Sequence, residues 1–484
     1  MSAAFTIERS RAVEPLFSRA PAPPGTTPKE YQHAGVEFAA ARANGNVLFG
    51  DAPGLGKTAE AILLNNARGT SYHLVVCPAS LRLNWEREIW RWSTIPNVTT
   101  YPVLKAKDGV SLAHNYVIIS YDLLRNPSIL NALMAERWDC IIYDEAHYLK
   151  DPRGNQRTRV ICAPDLLPSV AGATTLATGT LLPNQPIECY NAIRLLDHGA
   201  INGASLEDFR EFYYDIGEGF VTKFDPATKK FKQTWSNRVR NVPRNLDHLQ
   251  DVLRGTIMVR RLKEQVLHEL PPKQWHPFPL AVTAGMREAM KHPGWQAAEK
   301  LYALDGHAFD RGVPVDGAVS TARRLLGEAK AEPVASYIEE LLDAGTDKLV
   351  VSGWHHSVLD ILRGRLERWG LVYMDGSTSA TAKQRAVDRF QSEAGVRIIL
   401  GQMMPLGEGW TLTAAQDVVF AEPDWVPGKN DQLLDRINRI GQTGGYTIGH
   451  IPVVPGSLDE RILATAIEKD GYIHQALDME RDTA

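Results

Sequence analysis

Val47-Leu48-Phe49-Gly50-Asp51-Ala52-Pro53-Gly54-Leu55-Gly56-Lys57-Thr58 is the stretch from which the rest of the chain is read. Three apolar residues enter a glycine-punctuated loop, and the loop opens into a helical pattern containing Ala61, Ile62 and Leu64. Strand, loop and helix in that order bring backbone N–H groups to the positive end of a helix, where they can cradle a phosphate. Gly54, Leu55 and Gly56 supply the cradle, the Lys57 ammonium can reach β- and γ-phosphates, and the Thr58 hydroxyl can ligate Mg2+. The strict spacing puts glycine at position 51, where this chain has Asp51. A tight structural turn without a ligand is the competing reading of the same residues.

Outward from this loop, short apolar β-branched runs recur at 73–78 (HLVVCP), 116–121 (YVIISY), 140–145 (CIIYDE) and 173–180 (ATTLATGT), with helical patterns at 59–67 and 80–92. Alternating strands and helices specify a parallel sheet covered on both faces. The plan repeats at 348–353, 371–375, 396–401, 417–421 and 446–454, with helices at about 355–369 and 381–391. The expected fold is α/β, with two parallel-sheet lobes. Residues 202–345 are rich in charges, aromatics and prolines and read as helical insertions plus a linker; Pro271-Pro272 and 306–317 are the expected bends. The expected division is a first lobe over 1–200, helical protrusions and linker over 201–345, a second lobe over 346–456 and a closing brace helix over 457–484.

The 484 residues carry 53 Lys+Arg against 57 Asp+Glu, a net charge of -4, and are 44% hydrophobic, which excludes a mainly disordered or fibrous chain. Binding to nucleic acid must therefore come from a local basic patch rather than from a polycation. Cys77, Cys140, Cys162 and Cys189 are scattered, with no C-x-x-C pair, which fits a reducing, intracellular setting. Glu8, Arg9, Arg11 and Glu14 interrupt the apolar residues of the N-terminus, so no signal peptide is expected. No apolar run approaches the roughly 20 residues needed to cross a bilayer, so no membrane partner is expected.

The run 140–143 delivers Asp144-Glu145-Ala146-His147 to the carboxyl end of a second buried strand. Asp144 there can hold the Mg2+ shell and Glu145 can orient or deprotonate an attacking water. By itself, an Asp-Glu pair can instead be a helix N-terminal turn with favourable dipole interactions. In the second half, 431–442 reads DQLLDRINRIGQ. On one continuous helix Gln432, Arg436 and Arg439 fall at i, i+4 and i+7, beside an apolar stripe of Leu433, Ile437 and Ile440. They read as arginine fingers for a phosphoryl transition state, or as a solvated basic face.

The order of these motifs resembles the SWI/SNF-related branch of the superfamily 2 helicase-like DNA translocases, over about 31 to 454. Within it, Tyr31-Gln32 resembles the adenine-reading glutamine segment, and the Asp51 variant of the phosphate loop is the family's usual form. Ser80 and Trp85 lie in a match to motif Ia, Ser120-Tyr121 to motif Ib, 144–147 to the DEAH box and 178–184 to motif III, with Leu181 where proline is common. Met258-Val259-Arg260-Arg261 with Lys263 and 270–273 resembles the segment before the second lobe. Asp375-Gly376-Ser377-Thr378, 407–413 and Trp425-Val426-Pro427-Gly428 resemble motifs IV to V and the stretch that follows. Departures are Pro53 for methionine, Val426 for asparagine and Asn438 for histidine. Residues 31–39 and 375–378 look nearest the annealing-helicase subgroup.

The resemblance implies ATP and Mg2+ bound between two RecA-like lobes by Gln32, Asp51, the loop, Lys57, Thr58 and Asp144, with Gly409 and Gln432 from lobe two. It implies Glu145 as the water-activating base, Arg436 and Arg439 as fingers, and Ser80, Tyr121, Thr413 and Trp425 as DNA contacts; core packing is the rival role for Trp425. The function implied is an ATP-dependent motor that acts as a monomer on duplex or forked DNA. An RNA-directed superfamily 2 helicase and an ATP-gated scaffold are the alternatives. His147 is expected to partner a motif III side chain rather than a metal, and Trp85, Trp90 and Trp92 to pack within the lobe.

Overall fold

The computed structural model describes residues 3–151, 156–179, 181–182, 185–215, 219–225, 230–236, 242–267, 270–295, 317–407, 409–424, 427–439, 441–457, 459–460 and 463. Trp425, Thr180, Glu408, Ile440 and most of the expected brace fall outside them. The chain divides into two compact units that meet in sequence between Val266 and Leu267.

In the first unit seven strands form one sheet, in the order Met258–Val259, Val47–Phe49, Thr174–Ala177, Cys140–Asp144, His73–Cys77, Tyr116–Ser120 and Thr100–Pro102. Every pairing in it is parallel. The central strands are buried along their whole length because they face a core on both sides. Leu48, Leu74, Val76, Ile141 and Tyr143 point into one apolar cluster, while Val47, Phe49, Val75, Cys77, Cys140 and Ile142 point into the other. That alternation is the two-residue period of a strand, hidden in the sequence because both faces are apolar.

The second unit repeats the design with six parallel strands, in the order Lys273–Pro279, Thr447–Val453, Asp417–Phe420, Leu349–Gly353, Ile398–Gln402 and Leu371–Met374. Leu349 and Val351 enter one cluster and Val350 the other.

Residues 201–345 differ from the expected helices and linker. Gly219–Asp225 and Lys230–Ser236 pair as an antiparallel hairpin, Met258–Val259 closes one edge of the first sheet, and Lys273–Pro279 forms an edge of the second. The last of these has six of its seven residues exposed, which removes the apolar alternation that marks a strand; an edge position also tolerates Pro277 and Pro279. Helix Gly317–Asp343 belongs to the second core through Val319, Ala322, Leu326, Val334, Ile338 and Leu342. No helix among the described residues is long and apolar enough to cross a membrane.

Candidate active site

Strand Val47–Phe49 is followed by the glycine loop, and helix Lys57–Arg68 begins at Lys57. Gly54 and Gly56 hold φ of 91° and 84°, the left-handed region that a side chain disfavours. A Cβ on Gly56 would also lie 2.5 Å from Gln32 Nε2. Gln32 braces the loop: its Nε2 donates to the Leu55 carbonyl (3.1 Å), and its Oε1 accepts from Lys29 N (2.9 Å). Tyr31 Oη donates to the same Leu55 carbonyl. Leu55 therefore serves the site through its backbone, its side chain being buried in the core.

Lys57 Nζ donates to the carbonyls of Asp51 (2.8 Å) and Ala52 (3.3 Å). Burial pulls its pKa down, while Glu145, Asp51, Asp144 and Glu60 pull it up. The Lys57 ammonium thus lies where all four carboxylates act on it.

The side chain of Asp51 corrects the expectation that it serves nucleotide. Its carboxylate is fully buried and turned away into the protein, accepting from Arg261 N (2.9 Å) and Arg261 Nε (3.1 Å). Arg261 also pairs with buried Glu60, whose carboxyl is pushed well above its usual range by burial and by Asp51. Arg260 donates to the Gly50 carbonyl (2.8 Å), and Ala52 N donates to the Arg261 carbonyl (3.0 Å). The two residues after strand Met258–Val259 therefore clamp the phosphate loop, and the resemblance of that segment to a family motif was the only sequence signal for it.

Asp144 ends strand Cys140–Asp144 and is 7% exposed. Its Oδ2 accepts from Trp85 Nε1 (2.7 Å) and its Oδ1 from Glu145 N (2.9 Å). Burial, reinforced by the Glu145 charge, pushes Asp144 up to about 6. Glu145 adopts a φ of 52°, which swings its carboxylate off the strand. His147 Nδ1 lies 3.2 Å from Glu145 Oε2 and 3.4 Å from Thr178 Oγ1, so the DEAH histidine does meet a motif III side chain.

Tyr121 is a second correction. It is 2% exposed, donates from Oη to the Asp144 carbonyl (2.7 Å) and stacks on Tyr148, so its ring supports the acidic turn and is not presented to DNA. Ser80, in the turn Ala79–Leu81, remains half-buried, and its hydroxyl has no hydrogen-bond partner among the described residues.

In the second unit the helix is Pro427–Ile437, so Arg439 lies beyond its end and does not share a helix face with Gln432 and Arg436. Gln442 Nε2 donates to the Ile437 carbonyl (3.0 Å) and Asn438 Nδ2 to the Pro271 carbonyl (2.9 Å), which ends the helical ladder there. Arg436 is 3% exposed, with Nε donating to the Gly407 carbonyl (2.8 Å). Arg439 is half-buried and reaches the Gly409 carbonyl (3.4 Å) and Thr411 Oγ1 (3.3 Å). Gln432 is half-buried, and Thr413 Oγ1 accepts from Gln391 Nε2 (3.3 Å). Trp425 lies outside the described residues.

The donor set suits a divalent cation. Arg261 balances Asp51 and pairs with Glu60, whose carboxyl burial pushes up, whereas Asp144 and Glu145 repel one another beside Lys57. Hard oxygen donors from Asp144 and Thr58 match Mg2+.

Comparison with known proteins places this geometry. The SNF2-related domain model matches residues 31–313, and the helicase conserved C-terminal domain model matches residues 333–441. The chain is 31% identical over 480 residues to the Xenopus tropicalis SWI/SNF-related matrix-associated actin-dependent regulator of chromatin subfamily A-like protein 1, covering 97% of this chain and 47% of that protein. It is 30% identical to the human DNA annealing helicase and endonuclease ZRANB3, covering 89% of this chain and 38% of that one. It thus spans about half or less of the length of these relatives. The Sulfolobus solfataricus SWI2/SNF2 ATPase core in complex with dsDNA aligns with a TM-score of 0.42 and 20% identity, over 94% of this chain and 98% of that one.

Proposed function

The chain belongs to the SNF2-related family of superfamily 2 ATP-hydrolysing enzymes, and on that premise we propose that it is a motor that uses ATP to move on duplex or forked DNA, remodelling or annealing it rather than strictly separating strands. The observation that carries the reading is the convergence, on Lys57, of a left-handed glycine loop and the Asp144-Glu145 pair.

Each residue has a task in that reaction. Backbone N–H groups of 54–58 receive the phosphates at the helix N-terminus, and Lys57 leaves the loop carbonyls to neutralise the β- and γ-phosphates. Thr58 and Asp144 would hold Mg2+, which supplies charge neutralisation to the phosphate oxygens. Glu145 accepts the proton of the attacking water, and its contact with His147, itself held by Thr178, orients it. Arg439, with Arg436 holding the Gly407 carbonyl, supplies positive charge to the transferring phosphoryl group. Ser80, Thr413 and Trp425 would meet DNA phosphates, which makes binding sequence-tolerant and salt-sensitive.

The DNA arm of the proposal draws on the relatives, among them proteins named as DNA annealing helicases. The test is ATPase rate without nucleic acid and with duplex, forked and single-stranded DNA and RNA side by side. Stimulation by duplex or forked DNA is the expected result; stimulation by RNA alone overturns it.

A further inference from the structure

Trp85 stands 59 positions from Asp144 in sequence, yet its indole N–H lies 2.7 Å from Asp144 Oδ2. The ring is 1% exposed on helix Arg82–Trp92, and it packs in the cluster that holds Cys77, Ile89 and Ile142. A ring at this position fills space; Phe or Tyr would fill much of it. What only tryptophan adds is one N–H that donates and cannot accept.

That N–H acts together with a second one. Glu145 N holds Oδ1 at 2.9 Å, so each carboxylate oxygen of Asp144 is tied to a separate donor. Both donors are buried or half-buried, where a broken hydrogen bond is not replaced by water. Rotating the carboxylate about its Cβ–Cγ bond would break one bond or both. The carboxylate plane is therefore set by an element outside its own strand and loop, the helix that follows strand His73–Cys77.

We infer that Trp85 is a positioning residue of the ATP site: its indole N–H fixes the orientation in which Asp144 holds the divalent cation. The inference rests on the nucleotide reading given above. Groups in this relation to a metal-holding carboxylate change metal affinity or turnover by about 10–100-fold when removed. Packing alone predicts something else, a loss of stability with no preference for the metal-dependent part of binding.

Trp85→Phe in the full chain separates the two, because it keeps an aromatic ring and deletes the donor. Affinity for a fluorescent ADP analogue is measured in EDTA and again in excess Mg2+, alongside thermal unfolding and the kcat and KM of ATP hydrolysis. The expected result is metal-free affinity within about twofold of the unaltered chain, a Mg2+-dependent gain reduced about tenfold, and kcat lowered about 10–100-fold with little change in KM. A Mg2+-dependent gain equal to that of the unaltered chain, or a parallel loss of affinity with and without metal, overturns the inference. If the variant does not fold, the unaltered chain labelled with 15N in its indoles decides the matter. The Trp85 Nε1–H resonance is expected to shift when Mg2+ is added to the ADP complex, and an unmoved resonance overturns the inference. Failure of the unaltered chain to bind ADP or hydrolyse ATP would count against the nucleotide reading itself, so the two failures are distinguishable.

Discussion

Arg261 donates to Asp51 three times, from its backbone N to Oδ1 at 2.9 Å and from Nε and Nη2 to Oδ2 at 3.1 and 2.5 Å, and neither side chain is exposed. The acid that stands in place of a glycine in the phosphate loop is thereby a strut, tying the loop to the chain that leaves strand Met258–Val259. Arg261→Met leaves Asp51 buried without a cation, which is expected to cost about 3–5 kcal/mol. For units of this size that is a fall in melting temperature of about 10 °C. Asp51→Asn should be milder, and its folded fraction should bind ADP nearly as well as the unaltered chain. A stable Asp51→Asn protein that has lost ADP binding would return the carboxylate to the nucleotide.

The ten strands read from the sequence are all present, most of them because they are buried along their length and so appear as uninterrupted apolar runs, while the edge strand Leu371–Met374 is only half-buried at alternate positions. Thr100–Pro102 and Met258–Val259 are two or three residues long, and Lys273–Pro279 is mostly exposed, so none leaves such a run. The site was legible where its chemistry is local: the glycine loop, Lys57, Thr58 and the acidic pair. What was not legible is what tertiary packing decides. The Asp51–Arg261 strut spans 210 positions, Trp85 looked like packing alone, and Tyr121 turned inward to a carbonyl instead of outward. The helix expected to carry both arginines stops at Ile437, and the Asn438 side chain after it is turned onto Pro271 and Thr447.

Glu145 stands apart from Asp144 in its surroundings, with its side chain 17% exposed, a left-handed backbone and the His147 ring against its carboxylate. Glu145→Gln preserves shape while removing the proton acceptor. Turnover is expected to fall about 10²–10⁴-fold with nucleotide affinity unchanged. Single-turnover ATP hydrolysis beside ADP-analogue binding checks it, and a variant with ordinary turnover removes Glu145 from the base role.

His73 opens a central strand with its ring unexposed and packed 4.5 Å from the Tyr116 ring. Burial pushes its pKa from 6.5 down to about 4. The folded state therefore binds this proton less readily than the unfolded chain, so the contribution is complete above about pH 6.5 and is lost as pH falls towards 4. The shift corresponds to about 3 kcal/mol at the acid end. His73→Phe cannot take up the proton, and the difference in unfolding free energy between it and the unaltered chain should move in favour of the variant between pH 7.5 and pH 4.5. A difference independent of pH would show that His73 takes its proton as easily in the fold as out of it.

Arg436 and Arg439 are expected to part company. Arg436 is 3% exposed, donates to the Gly407 carbonyl, and accepts from Leu412 N at its own carbonyl (2.8 Å), so it ties Gly407 and Leu412 to the helix. Arg439 is half-buried and reaches the Gly409 carbonyl and Thr411 Oγ1 at 3.4 and 3.3 Å. Arg436→Ala strips the buried Gly407 carbonyl of its donor, and the expected result is a lower melting temperature together with lost activity. Arg439→Ala should leave the melting temperature within about 2 °C, since half-buried long contacts contribute little. A cation that meets charge developing in the transition state is worth about 10³-fold or more in kcat, so Arg439→Ala should lower kcat by that order while ADP affinity changes little. The experiment pairs thermal unfolding with kcat and ADP affinity for both variants. Equal losses of stability would make Arg439 a second structural arginine, and the search for the finger would move to other basic residues of the second unit.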